Sequence, residues 1–113
     1  TLVWHEGQLR AETGQYQRAI ELMEKATKPA EKDGSGWNHY VNATIAFLES
    51  DLNKLKAYRE KLAMVPKPAG FNPRDAQGNP VDVPWPPNLS IVDSFIRCFG
   101  KTYAEVYAGC PKE

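Results

Sequence analysis

Residues 4–26 read WHEGQLRAETGQYQRAIELMEKA, and residues 40–62 read YVNATIAFLESDLNKLKAYREKL. At an offset of 36 residues the two stretches fall into register. Trp4 then meets Tyr40, Gly7 meets Ala43, Leu9 meets Ile45, and Gly14 meets Ser50. Further on, Ala19 meets Leu55, Glu24-Lys25 meets Glu60-Lys61, and Ala26 meets Leu62. In each copy an aromatic residue opens the segment, a small residue follows three later, and a turn residue follows the aromatic by ten. Apolar positions then recur at a spacing of three and four. That is the sequence form of a helix, a tight turn and a second helix, given twice. Two unrelated helical hairpins would yield nearly the same fold.

Working outward, the first helix is expected over Leu2–Thr13 and stops at Gly14. The second carries Tyr16, Ala19, Ile20, Met23 and Ala26 on one face, with Glu21/Lys25 and Glu24/Lys28 as solvent-side pairs. Pro29 and the run Asp33-Gly34-Ser35-Gly36 end it, with Ser35 as the expected N-cap of the third helix. The third helix buries Trp37, Tyr40, Val41, Ile45, Phe47 and Leu48; the fourth carries Leu52, Leu55, Tyr58, Leu62 and Val65. Seven of the nine prolines lie between Pro66 and Pro87, so residues 66–88 are expected to form a helix-free loop. Beyond it, Leu89, Val92, Phe95, Ile96, Phe99, Tyr103, Val106 and Tyr107 have helical spacing over 89–109. Ser90 and Asp93 read as its capping box, and Gly100 as a place for a kink.

The chain has 113 residues, which suits one domain: two helical hairpins (1–65), the loop (66–88) and a C-terminal helix (89–109). Fourteen basic residues balance fourteen acidic ones, and neither half is a polycation. Nucleic acid and charged membrane surfaces are therefore unsuited as partners. No apolar run approaches the roughly 18 residues of a membrane span. Thr1 is not an initiator methionine, so a processed or partial chain is expected, and the compartment stays open between cytoplasm and export.

Residues Trp4–Ala26 and Tyr40–Pro66 resemble tetratricopeptide repeats, and the whole resembles small bacterial proteins of that repeat type. Gly7/Ala43 match the position where the two helices cross, Gly14/Ser50 the turn, Ala19 the small residue of the second helix, and Pro66 the repeat-ending proline. The period of 36 exceeds the family's usual spacing, Leu55 is large where a small residue is usual, and Arg10 stands where an aromatic is usual. The resemblance implies an all-α stack, closed by the last helix as a cap. It also implies a non-catalytic protein- or peptide-binding module, an adaptor or scaffold, with a concave surface made by the first helix of each hairpin. In this register that surface comprises His5, Gln8, Ala11 and Glu12, then Val41, Thr44, Phe47 and Leu48. The Lys, Asn and Arg residues of the family's carboxylate clamp are absent from these positions.

The remaining chemistry-bearing residues are few. His5-Glu6 and His39 lack the ligand number of a zinc site, so no metal or cofactor is expected. Cys98 and Cys110 stand twelve apart, a rise of about 18 Å in continuous helix. A disulfide needs Cα atoms about 4.4–6.8 Å apart. Cys98 is thus expected as a free, buried core residue and Cys110 as an exposed one; a bridge would require the helix to end by about Tyr107. Val83-Pro84-Trp85-Pro86-Pro87 should be extended, with Trp85 anchoring the loop to the helices. Two other readings stand beside the binding module. One is a structural or self-associating subunit; the other is a small hydrolase using His5, Glu6 and His39 near Trp85.

Overall fold

The computed structural model describes residues 2–110. Its helices are α1 (Leu2–Glu12), α2 (Tyr16–Glu24), α3 (Trp37–Leu48), α4 (Leu52–Ala63), α5 (Leu89–Arg97) and α6 (Tyr103–Gly109). A 3₁₀ turn, Ala30–Lys32, links α2 to α3. Among the described residues there is no named strand, only an isolated antiparallel bridge between Arg74 and Pro80. The fold is all-α.

Two turns organise the first four helices. Gly14 and Ser50 both adopt left-handed backbone, with φ of 82° and 59°. Each closes its helix with the same bonds: Gln15 N–H donates to Arg10 O at 2.8 Å, and Asp51 N–H donates to Ala46 O at 2.9 Å. Gly14 N–H reaches Ala11 O at 3.1 Å, and Ser50 N–H reaches Phe47 O at 3.0 Å. Helix-terminal carbonyls are satisfied in the same way at both places. α1 and α2 cross tightly at Gly7, where a Cβ would stand 3.0 Å from Met23 Cγ and 3.4 Å from Ala19 O. At the matching position Ala43 is fully buried.

Three local expectations are corrected. Ser35 does not cap α3; the Asp33 carboxylate accepts from Asn38 N–H at 3.1 and 3.2 Å instead. Ser90 and Asp93 form no capping box, because Asn88 is the N-cap of α5 and Asp93 is drawn to Arg59 Nε at 2.8 Å. The third correction is the largest. The expected helix over 89–109 is two helices, broken between Arg97 and Tyr103. Gly100 has φ of 97° there, and Thr102 and Glu105 form the reciprocal capping box that starts α6. Tyr103 and Val106 then face the core across a bend rather than along one helix.

The break returns the chain on itself. Cys98 and Cys110 come to a Cα separation of 6.3 Å and are joined as a disulfide. The expectation of free thiols assumed helix rise through 99–102, which the left-handed Gly100 abolishes. Cys98 is buried as expected, whereas Cys110 is half-buried rather than exposed.

A continuous hydrophobic core joins all six helices. α3 runs through its centre, with eight of its twelve residues buried. Phe47 stacks on Phe95 at 4.7 Å and meets Phe99 edge-on at 6.2 Å, which seats α5 on α3. Residues 64–88 contain no helix. Trp85 is half-buried there; its Nε1–H donates to Val65 O at 2.9 Å, and its ring meets Phe71 edge-on at 5.0 Å. Trp85 thus ties the loop to the end of α4.

Candidate functional site

The residues expected to line a concave surface separate into two groups. Val41 and Thr44 are fully buried, and Phe47, Leu48 and Ala11 nearly so. Thr44 Oγ1 donates to Tyr40 O at 2.9 Å, so its hydroxyl is satisfied inside the core. These positions offer no open groove, because α5 packs across α3 and α6 packs against α1. His5 and Glu12 remain exposed, and Gln8 is half-buried.

His5 and Gln8 border an open cleft of about 380 Å³. α1 supplies Trp4, His5 and Gln8, and α3 supplies Trp37 and Tyr40. Asn88 and Ile91 close one side, and Tyr107 of α6 another. The aromatic rings of its floor are interlocked: Trp4 lies 5.0 Å from Trp37 and 5.3 Å from Tyr40, centroid to centroid. Trp37 Nε1–H donates to Ala26 O at 2.9 Å, which fixes its ring from behind.

Two separate sets of polar groups lie at and beneath this floor. The Tyr40 and Tyr107 hydroxyls are 2.6 Å apart. Gln8 Nε2 donates to the Tyr103 hydroxyl at 3.2 Å, and Gln8 Oε1 stands 3.1 Å from His5 Nδ1. Tyr103 N–H donates to the Tyr16 hydroxyl at 2.9 Å. Burial, reinforced by Tyr107, pushes the phenols of Tyr40 and Tyr103 well above their ordinary range. Both stay protonated near neutrality and act as neutral hydrogen-bonding groups. Among the described residues the cleft walls contain no carboxylate. Aromatic faces with neutral donors and acceptors can hold an uncharged ligand by stacking and hydrogen bonding.

Trp85 does not line the cleft; it lies along an adjoining hollow of about 400 Å³ between residues 83–90 and Asp93. Asn88 borders both. The hydrolase reading needed His5, Glu6, His39 and Trp85 together, and the cleft gathers only His5 of these. Among the described residues no three His, Cys, Asp or Glu are grouped to hold a metal ion. No helix there is long and apolar enough to cross a membrane.

Trp4, Trp37 and Tyr40 were expected only as repeat-opening or core aromatics, and Asn88, Ile91 and Tyr107 were not expected at a site. Their signal was the aromatic density around Tyr103 and Tyr107, beyond what a helix needs to bury one face. Only the fold-back at Gly100 brings Tyr107 over α3. Compared with known proteins, the chain matches no family model, no curated protein and no solved structure.

Proposed function

We propose that this chain is a non-catalytic binding module of tetratricopeptide-like architecture that holds a short, uncharged peptide segment in the aromatic cleft. The observation that carries the reading is the cleft itself. Four chain segments converge on interlocked rings rimmed by tyrosine hydroxyls, an amide and an imidazole. The recurrence of the same turn bonds at Gly14 and Ser50 supports the repeat-like architecture. Aromatic-rich, desolvated patches with a polar rim are where protein contacts concentrate their energy. The ligand seat lies at the rim of the stack, because the chain's own α5 and α6 cover the face that such stacks usually offer.

Display selection of peptides on the purified chain tests this. Selected peptides should shift the amide resonances of His5, Gln8 and Tyr107. His5→Ala and Gln8→Ala should each weaken capture about tenfold, roughly the loss of one hydrogen bond in a desolvated site. Shifts confined to the 66–82 loop, or no enriched peptides, would rule out the cleft.

A structural-subunit reading draws on a different observation. Leu2 is 88% exposed and Leu9 63% exposed, seven residues apart on the outer side of α1. Sedimentation over a wide concentration range should show self-association under that reading, lost in Leu9→Lys.

A further inference from the structure

We propose that the Cys98–Cys110 disulfide is a redox latch on the cleft: bridged, it fastens α6 and Tyr107 in place, and reduced, it releases them. The effect on a ligand rests on the peptide-binding reading above; the conformational effect does not.

α6 has seven residues, too few to persist as an isolated helix. Its capping box, Thr102 with Glu105, is local and moves with it. Its set of contacts to the body among the described residues includes those of the Tyr103 and Tyr107 rings with Phe95 of α5, at 6.2 and 6.0 Å between centroids. Tyr103 and Val106 are buried, Tyr103 bonds to Tyr16 and Gln8, and Tyr107 bonds to Tyr40. The bridge is the covalent member of that set. It makes 98–110 a closed loop whose base, Cys98, sits in the core. Gly100, with φ of 97°, offers the pivot between α5 and α6. α5 is held independently, through Phe95 on Phe47 and Asp93 on Arg59. Opening the bridge therefore frees α6 without freeing α5. Tyr107 leaves the cleft with it, and Tyr40 loses its hydroxyl partner.

The chemistry requires a dithiol reductant. One thiolate of the dithiol attacks the sulfur of Cys110, the more accessible end, and Cys98 leaves as a thiolate and takes up a proton. The second thiol of the reductant then displaces Cys110 and closes its own disulfide. Two electrons and two protons pass from the dithiol to the protein.

Native-state hydrogen exchange on the whole chain, with and without dithiothreitol, tests the latch; a thiol count verifies reduction. Closing a loop of this length suppresses opening about 100-fold. Reduction should accelerate exchange at Val106, whose N–H donates to Thr102 O, by that order, with Leu55 and Val92 unchanged. Cys110→Ser in the absence of reductant should reproduce the effect. Unchanged Val106 exchange in fully reduced protein overturns the proposal, as does equal acceleration of every amide, which would make the bridge a global staple. A display-selected peptide provides the second arm. Acceleration at Val106 together with loss of that peptide supports both readings. Acceleration at Val106 with peptide capture unchanged supports the latch and removes the cleft as the ligand seat.

Discussion

α1 and α3 begin their hairpins alike and end up in opposite circumstances. They share the turn bonds, the left-handed closing residue and the stripe Trp4/Tyr40, Gly7/Ala43 and Ala11/Phe47, which is buried in both. Yet three residues of α1 are buried against eight of α3. The extra buried positions of α3 are Val41, Thr44, Ile45, Ala46 and Leu48, and their counterparts in α1 are His5, Gln8, Leu9, Arg10 and Glu12. Turn chemistry fixes the local backbone of a hairpin. Burial is fixed by what lies on its other sides, and α3 has α2, α4 and α5 around it. Four of the five α1 counterparts are polar, so composition already records which helix is central.

The sharpest way to break this comparison is to cut the same atoms from both helices. Ile45 is 8% exposed and Leu9 63% exposed. Ile45→Ala should cost about 2–5 kcal/mol in denaturant unfolding, and Leu9→Ala no more than about 0.5 kcal/mol. Equal costs would mean that the two helices are equally covered. The shared stripe gives the next largest effect. Gly7→Leu should overpack against Met23 and destabilise by about 1–3 kcal/mol, and an unchanged midpoint would deny the close crossing.

Tyr40 adds a hydroxyl contact to Tyr107 of α6. Tyr40→Phe should lose about 1 kcal/mol near neutral pH. Burial raises the folded-state pKa of this phenol above the unfolded value of about 10. The stability tied to its proton is therefore complete below that pH and falls as pH rises past it, since only the unfolded chain ionises. Tyr40→Phe should flatten that alkaline decline, read as the unfolding midpoint between pH 9 and 11. The smallest effect lies in the turns. Ser50→Gly should stabilise by about 0.5–1 kcal/mol by relieving a left-handed serine, and Gly14→Ser should cost a similar amount. The two changes test whether the turns are interchangeable.

The parts of this fold legible in the sequence are those with short-range causes. Breaks at Gly14 and the proline run follow from backbone preference, the break at Ser50 from its register with Gly14, and the apolar spacing of α2, α3 and α4 from helical periodicity. Trp85, expected as the anchor of its loop, is half-buried and donates to Val65 O. The parts not legible have long-range causes. Ser90 and Asp93 have the spacing of a capping box, but Arg59 on α4 claims Asp93. Apolar spacing runs unbroken from Leu89 to Tyr107, and periodicity does not show that Gly100 reverses direction within it. The disulfide and the Tyr107 side of the cleft both depend on that reversal. Of the residues expected on a binding surface, His5 and Gln8 border the cleft and Glu12 is exposed outside it, whereas Val41, Thr44, Phe47 and Leu48 are buried in the core.

The helix-free segment 64–88 has a consequence for how the molecule can be handled. Its stretch from Pro66 to Val83 is almost wholly exposed, so the peptide bonds there lie outside the packing that joins the helices. A nick at Gly78 would divide the chain into a four-helix piece and a two-helix piece, still meeting through Phe47–Phe95, Arg59–Asp93 and Tyr40–Tyr107. The disulfide lies wholly inside the smaller piece, so it would not tether the two. The pieces are a natural split pair, whose reassembly measures the combined strength of the seams that α5 and α6 make with α1, α3 and α4.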